Sequence, residues 1–484
     1  MSTVNVNNLN PNGDPVITVG PEADATEGAR FGIIPAPSGQ VLPASSVVFG
    51  HDALSTAGNK FSTTAIGTSA GKGCTTTTGS TFIGAQAGEG STTPSYVTAV
   101  GYQAGYSGGE SGTYIGAEAG ENATGTANVC IGAKSGRQLT TGDRNILIGN
   151  YAGSNGDFPV NGIQTGSNNI VLQTEQGVTA DAVDTSQNVF IGSGLGKLSF
   201  GDPTTQGKNV VIGHDAGSEA TGVGQNVIIG KDAAKTADAC SQAVVIGVGA
   251  AQSSTVLGNS TIVGGYAGQN AGGGNTGSVA ASAAFFGHLA GAVTTGERNT
   301  CIGFRAGSKL TTGRNNLLLG AYAGSVGDAP AGALDAGENN IVLACGKIDE
   351  WADINTNISN SVVIGSSNQT QFYAGVSSIT ALSDARDKKD VKEISAGLDF
   401  IKELKPVDFI WDERKESGKR DIKDCGFLAQ DLKEAEDKHG VADHLRLVDD
   451  KNPEKLLATY GRLLPVMVKA IQELSAEVEE LKSK

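Results

Sequence analysis

Residues 209–217 read NVVIGHDAG, and the same phrase returns as TAIGTSAG from Thr64, TFIGAQAG from Thr81, TAVGYQAG from Thr98 and TYIGAEAG from Thr113. Two or three apolar residues are followed by Gly, two variable residues, Ala and Gly. The phrase recurs from about Val47 to Gly365. Its first glycine marks the step, at Gly50, Gly67, Gly84 and Gly101, then Gly116, Gly132 and Gly149, and again at Gly213, Gly230, Gly247 and Gly264. Most steps are 17 residues and some are 15 or 16. Self-similarity at a short fixed period is the signature of a solenoid.

The phrase also indicates the kind of solenoid. Alternating β-branched residues such as Val210 and Ile212 suit short strands, and no stretch of the array has a helical apolar period. The first glycine supplies a turn with φ > 0 or room for close backbone approach. The second closes the next corner. A coil of this length has room for two short strands and two turns. Stacked coils are expected to bury a column of Ile, Val and Ala and to leave Thr, Asn and Ser outside. About fifteen to twenty coils, at about 4.8 Å each, make a rod of roughly 70–100 Å. So narrow a coil leaves apolar surface in water when one chain stands alone. Three chains about a common axis would cover it. The pattern resembles the β-roll head of trimeric adhesins, whose repeats carry an Asn-Ser-Val-Ala-Ile-Gly phrase. Asn226–Gly230 (NVIIG) and Ser361–Gly365 (SVVIG) come closest.

A longer period overlies the short one. NVCIGAKSGRQLTTGDRNILIGNYAG from Asn128 recurs as NTCIGFRAGSKLTTGRNNLLLGAYAG from Asn299, and NNIVLQ from Asn168 as NNIVLA from Asn339, each offset by 171 residues. A block of about ten coils has been duplicated. Each copy contains a longer insert, SNGDFPVNGIQTGS from Ser154 and SVGDAPAGALDAGE from Ser325. Their Gly and Pro predict surface loops, candidates for lateral contact. Residues 1–40 differ from the array. Pro and Gly come at close intervals around one apolar run, Val16–Val19, so an extended, loop-rich segment is expected.

Composition changes abruptly near Ser383. The segment from Ser383 to Lys484 holds 20 of the 35 Lys and Arg and 24 of the 50 Asp and Glu. A shift this sharp marks a domain boundary. At the boundary lies SDARDKKDV, Ser383–Val391. LKPVDFIWD follows from Leu404, GFLAQDL from Gly426 and TYGRLLPVMVKAIQEL from Thr459. These spaced blocks resemble the C-terminal intramolecular chaperone domain of endosialidase-type phage tailspikes and tail fibres. That family's S-D-x-R-x-K motif falls on Ser383, Asp384, Arg386 and Lys388. The resemblance covers about 100 residues and implies a domain that trimerises a fibre and then, in many members, cuts itself off just before the serine, here at Leu382–Ser383. It implies Ser383 as nucleophile and Lys388 as base, with Asp384 and Arg386 as motif support. A serine hydroxyl needs a base, and a desolvated lysine can serve. One departure weighs against cleavage: Asp387 stands beside Lys388, where the family commonly has an apolar residue, and would favour the charged lysine if it folded toward it.

The last segment carries a heptad seam. Tyr460, Leu464, Met467, Ile471, Leu474, Val478 and Leu481 alternate steps of four and three, which predicts one apolar stripe on a helix. Glu473, Glu477, Glu479, Glu480 and Lys482 are expected on its wet faces. Pro465 falls early and bends or delays the helix. The seam does not define the number of strands; the family resemblance implies three.

Other chemistry is sparse. The six cysteines have no metal-ligand spacing and no CxxC pair. Cys130 and Cys301 share one repeat slot, which suits small buried apolar residues. His51, His214 and His288 each follow a repeat Gly, a repeat slot and not a metal site. Asp52 and Asp215 follow two of them, but a glycosidase pair would need a groove. No metal or cofactor is expected. The few aromatics of the array argue against a sugar-stacking cleft. A net charge of −15 argues against binding nucleic acid or anionic lipid through a broad basic face. There is no apolar run near membrane-spanning length and no N-terminal signal pattern, so synthesis in the cytoplasm of the translating cell is expected.

The combined expectation is a mainly β chain: a trimeric parallel β-roll or β-solenoid rod over residues 41–382, then an α+β chaperone domain over 383–484 ending in a coiled-coil helix. Residues 1–40 would attach to a tail or capsid protein of the virion. The function expected is a structural phage tail fibre, a homotrimer assembled in the host cytoplasm that meets a host-surface glycan or protein, with self-cleavage its one activity. A depolymerising tailspike would need an acidic cleft. A cellular trimeric adhesin would need a signal peptide and an anchor.

Overall fold

The structure is a computed structural model. It describes residues 16–18, 30–33 and 46–484, apart from 57, 155–161, 174–185, 195–206, 221–223, 238–239, 255–256, 272–281, 325–335, 345–358, 366–372, 374–380, 413–419 and 451–455. Most of the expected attachment segment, half of the first insert and most of the second lie outside the described residues.

The array is a parallel β-solenoid. Its strands form one 20-stranded sheet, in which Val16–Thr18 and Arg30–Ile33 add antiparallel to the first coil and the strands from Val47–Phe49 onward run parallel. Each coil places a three-residue strand directly on the last, as with Val210↔Val227, Val211↔Ile228 and Ile212↔Ile229. The middle residue of each strand faces inward. Phe82, Tyr114, Leu147, Phe190, Ile228 and Phe285 are all fully buried in that column, and the repeat Ala, such as Ala87 and Ala216, fills the next.

Two expectations need correction. Among the described residues most coils have one strand. A second paired segment occurs at Asn59–Phe61 with Thr76–Thr78, single bridges join Thr78 to Ser95 and Gly224 to Ser241, and the other described coils close through turns. Many turn residues are left-handed without being glycine, such as Gln187 (φ 64°), Lys208 (φ 68°) and Gln225 (φ 60°). A left-handed residue costs roughly 1–2 kcal/mol, so the inter-coil hydrogen bonds hold these turns in place, for example Gln225 N to Gly207 O at 3.1 Å.

Asparagine lies outside at Asn168, Asn315, Asn339 and Asn360, but a second set is buried. Asn128, Asn145, Asn169, Asn188, Asn209 and Asn226 form a buried column just before the strands. Each Oδ1 from Asn128 to Asn209 accepts from the next asparagine twice, as Asn128 Oδ1 accepts from Asn145 N at 2.9 Å and from Asn145 Nδ2 at 3.1 Å, and the Oδ1 of Asn226 accepts from Ala243 N. The ladder continues through Asn169, Asn188, Asn209 and Asn226. Asn299, Asn316 and Asn340 repeat it in the second block. A buried amide is tolerated because its hydrogen bonds are satisfied. Polarity alone assigns Asn to the surface, so the ladder has no signal in the sequence before the coils are stacked.

The marker glycines are needed for close approach. Gly247 has φ 139°, and a Cβ there would lie 2.4 Å from the Gly264 carbonyl oxygen. The same contact recurs from coil to coil, which explains why the first glycine of the phrase is the most regular one.

The C-terminal region is a small α+β unit with its own core. Helix α1 (Leu398–Glu403) precedes an antiparallel hairpin, Pro406–Asp412 with Arg420–Phe427. Helices α2 (Ala429–His439) and α3 (Ala442–Leu445) follow, then a short pair, Val448–Asp449 with Leu457–Ala458, and helix α4 (Leu463–Ser483). Phe400, Leu432, Ala435, Val441, Leu445, Leu447, Leu463 and Val466 form a cluster separate from the rod core. Pro465 sits in the first turn of α4, where its missing N–H is harmless. No helix among the described residues is long and apolar enough to cross a membrane.

Candidate functional site

A short turn brings the motif residues together. Asp384 caps the 3-10 turn Ala385–Asp387, its Oδ1 accepting from Arg386 N at 2.8 Å. The Arg386 guanidinium closes back on the same carboxylate at 2.6 Å. These hydrogen bonds from Arg386 hold the Asp384 carboxyl below its ordinary pKa. The turn then returns the chain so that Lys388 reaches the serine five positions earlier. Lys388 Nζ donates to Ser383 Oγ at 2.7 Å and to the Ser383 carbonyl oxygen at 3.2 Å. Among the described residues Asp387 makes no ion pair with Lys388. All of these side chains face solvent in the single chain, and so does Leu382.

Helix α4 has two apolar faces. Leu463, Val466 and Ala470 are buried against the C-terminal core. Leu464, Met467, Ile471, Leu474, Val478 and Leu481 are exposed on the other side, together with Tyr460 just before the helix. Glu473 departs from its expected wet position. Its Oε2 accepts from Leu398 N at 2.7 Å and so caps α1. The buried Glu436 has a similar task, accepting from Leu447 N at 2.6 Å. Tyr460 Oη donates to the Phe427 carbonyl at 3.0 Å. Sequence patterning could not single out these groups, because their partners lie 11 to 75 residues away.

The rod has one continuous outward apolar face. The first and third residues of each strand point away from the core, so Val47, Phe49, Ile66, Ile83, Ile115, Ile148, Phe286, Ile302, Leu319 and Ile364 are exposed in a line along the sheet. Val210 and Ile212 belong to this outer face and are half-buried, and Val211 between them is the buried residue. Beside it, Tyr266, His288, Phe304 and Tyr322 come together from successive coils. They are far apart in sequence, so the array's low aromatic content hid them.

The histidine slots sit in ion-pair clusters. His214 Nδ1 lies 3.6 Å from Asp215, and ligand atoms of His214, Asp215 and Asp232 lie within 4.8 Å of one another. Lys235 Nζ reaches Asp215 at 3.1 Å and Asp232 at 3.5 Å. The hydrogen bond to Asp215 raises the Lys235 pKa. The same arrangement joins Lys72 to Asp52 at 3.1 Å beside His51. A protein cation thus already neutralises each carboxylate. Cys74, Cys130, Cys240 and Cys301 are buried free thiols, each pushed up to about 12 by burial, which makes them inert packing groups.

Residues 383–441 match the family model described as chaperone of endosialidase. No curated protein and no solved structure matches the chain.

Proposed function

We propose that this protein is a phage tail fibre: a homotrimeric rod with a C-terminal chaperone domain that drives its assembly. The observation that carries this reading is the unbroken outward apolar strand face on a solenoid whose C-terminal region matches the chaperone of endosialidase. The third residue of each described parallel strand of the 20-stranded sheet is an outward Ile, Val, Leu or Phe, exposed toward both ends of the sheet and half-buried from Leu172 to Val263, and such a row marks an interaction surface. The exposed seam of α4 is a second such surface, suited to a coiled coil of the same three chains. In this reading residues 1–40 attach to a tail or capsid protein, residues 41–382 form the rod, and residues 383–484 form the chaperone domain. The assembled fibre belongs to the virion and meets a host-surface glycan or protein.

The contact between Ser383 and Lys388 supports self-cleavage at Leu382–Ser383. The Ser383 hydroxyl attacks the Leu382 carbonyl carbon, and Lys388 takes the hydroxyl proton. The C–N bond breaks, the Ser383 nitrogen receives the proton as an amine, and Leu382 is left as an ester on Oγ. Water hydrolyses that ester to the Leu382 carboxylate and the free serine. The step needs a neutral amine that accepts the hydroxyl proton, the reverse of the observed hydrogen-bond direction. Burial favours a neutral lysine. Packing of three chains around the exposed turn would supply that burial, so cleavage should follow trimerisation.

Light scattering and intact mass test the two parts. The protein should have the mass of three chains, and its chains should convert to residues 1–382 and 383–484. Ser383→Ala and Lys388→Ala should each stay full length and still trimerise. A mass of one or two chains overturns the fibre reading. A wild-type trimer that stays full length on prolonged incubation overturns the cleavage.

A further inference from the structure

The stacked pair at the aromatic corner, His288 and Phe304, is an addition that the fold does not require. His288 and Phe304 stack in parallel, with ring centroids 5.6 Å apart and planes 11° apart. Tyr266 meets His288 edge-on at 6.1 Å, and Tyr322 meets Phe304 edge-on at 5.3 Å. The Arg305 guanidinium lies over Phe304 at 5.5 Å and over Tyr322 at 5.9 Å. The first block is an internal control. At the offset of 171 residues, Ala117 stands for His288 and Ala133 for Phe304, while Tyr151 keeps the ring of Tyr322 and lies under Lys134 as Tyr322 lies under Arg305. Strand register and the asparagine ladder persist there without the stacked pair. His288 and Phe304 therefore serve something outside the coil.

Three features point to what covers them. The corner is continuous with the strand face, because Phe304 follows the exposed Ile302 by two residues and Phe286 lies in the adjacent coil. The row repeats once per coil, at about 4.8 Å. A partner must repeat at that spacing too, and a second copy of this chain does. Finally, a ring of three subunits uses heterologous contacts, in which one patch of a chain meets a different patch of the next. The strand face supplies one apolar patch and the neighbouring corner supplies another.

We infer that the corner formed by Tyr266, His288, Phe304 and Tyr322 packs against the strand face of a second copy of this chain, so that the second block is clasped more widely than the first. This rests on the trimer reading. Faces of the stacked rings are already taken up by one another and by Arg305, which leaves their edges for the partner's aliphatic side chains.

Cysteine labelling of the full-length protein tests it. Phe304→Cys and Ala133→Cys would each be placed in a chain carrying Cys345→Ser and Cys425→Ser, since the other four cysteines are buried. A water-soluble maleimide should label position 304 at least about tenfold more slowly than position 133, as expected for a packed contact. Light scattering is measured on the same samples. Equal labelling in an intact trimer overturns the clasp alone and leaves a saccharide or another protein as occupant. A one-chain mass overturns the trimer reading and the clasp together. A second variant, His288→Ala with Phe304→Ala, restores residues that the first block already tolerates. It should fold and dissociate at lower denaturant concentration than wild type. An unchanged dissociation midpoint overturns the proposal.

Discussion

In the rod, contacts repeat; in the C-terminal region, each one is made once. Asn145 bonds to Asn128 across 17 residues, and Asn226 bonds to Asn209 across the same interval. By contrast, Leu398 N meets Glu473 across 75 residues and Leu447 N meets Glu436 across 11, and no second pair imitates either. The difference concerns register. A periodic rod carries little to say which coil of one chain should lie beside which coil of another. A singular fold at one end carries that information. Slippage is the characteristic hazard of uniform strand arrays, and in the proposed trimer the C-terminal region is what prevents it.

The largest effect should come from separating the two regions before assembly. A chain ending at Leu382 should fail to give soluble, protease-resistant trimers, although every coil of the rod is present. Recovery of such trimers by size and protease digestion would break the comparison, since the rod would then carry its own register.

Glycine should matter very differently in the two regions. Gly247→Ala brings a Cβ to 2.4 Å from the Gly264 carbonyl oxygen at φ 139°. It should cost about 4 kcal/mol or more, the range of severe backbone and packing conflicts. At Gly461, a Cβ would meet nothing within 4 Å, and Gly461→Ala should change stability by less than about 0.5 kcal/mol. Denaturant melts of both variants make the test.

The asparagine ladder comes next. Asn188→Ala removes the Oδ1 that accepts from Asn209 N and Asn209 Nδ2, and the Nδ2 that donates to Asn169 Oδ1. Unpaired buried groups cost about 1–3 kcal/mol each. A loss of about 2–3 kcal/mol is expected, confined to the rod and visible as faster amide exchange in the neighbouring coils. A uniform loss that includes α2 and α4 would show the regions to be coupled.

The smallest effect sharpens the other side. Burial raises the Glu436 carboxyl above its ordinary pKa, against the opposing pull of backbone hydrogen bonds from Leu447 and Val448. The folded state therefore holds this proton at pH values where the unfolded chain has lost it. This group's contribution to stability is full below the unfolded value and declines as pH rises through the folded one. Glu436→Gln cannot titrate, so the stability difference, variant minus wild type, should rise with pH across that window. Glu403 and Asp450, lowered by Lys438 and Lys433 respectively, have the opposite sign but are present in both proteins. A flat difference in melting temperature across that pH window would refute the assignment.

Much of the rod was readable in advance because its information is local. The step of the glycines, the β-branched strand residues and the Ala-Gly corner each act within one coil, and every coil repeats the statement. The helix of the C-terminal seam was equally legible from a spacing of three and four. What failed was inside against outside. A strand of three residues has one inward side chain, so Val211 is buried and its neighbours Val210 and Ile212 are not. Hydrophobicity alone does not distinguish them.

The sequence by itself determined the period, the strand of each phrase, the seam helix, the change of composition near Ser383 and the S-D-x-R-x-K spacing, because each is written in neighbouring residues. Tertiary structure alone decided what stacking creates. It turned a polar Asn into a buried ladder, lined up outward Ile and Val into one apolar face, gathered four scattered aromatics into a corner, and brought Glu473 onto the N-terminus of α1 as its cap. These outcomes depend on which residues of different coils or helices become neighbours, and that proximity exists only after the chain has folded.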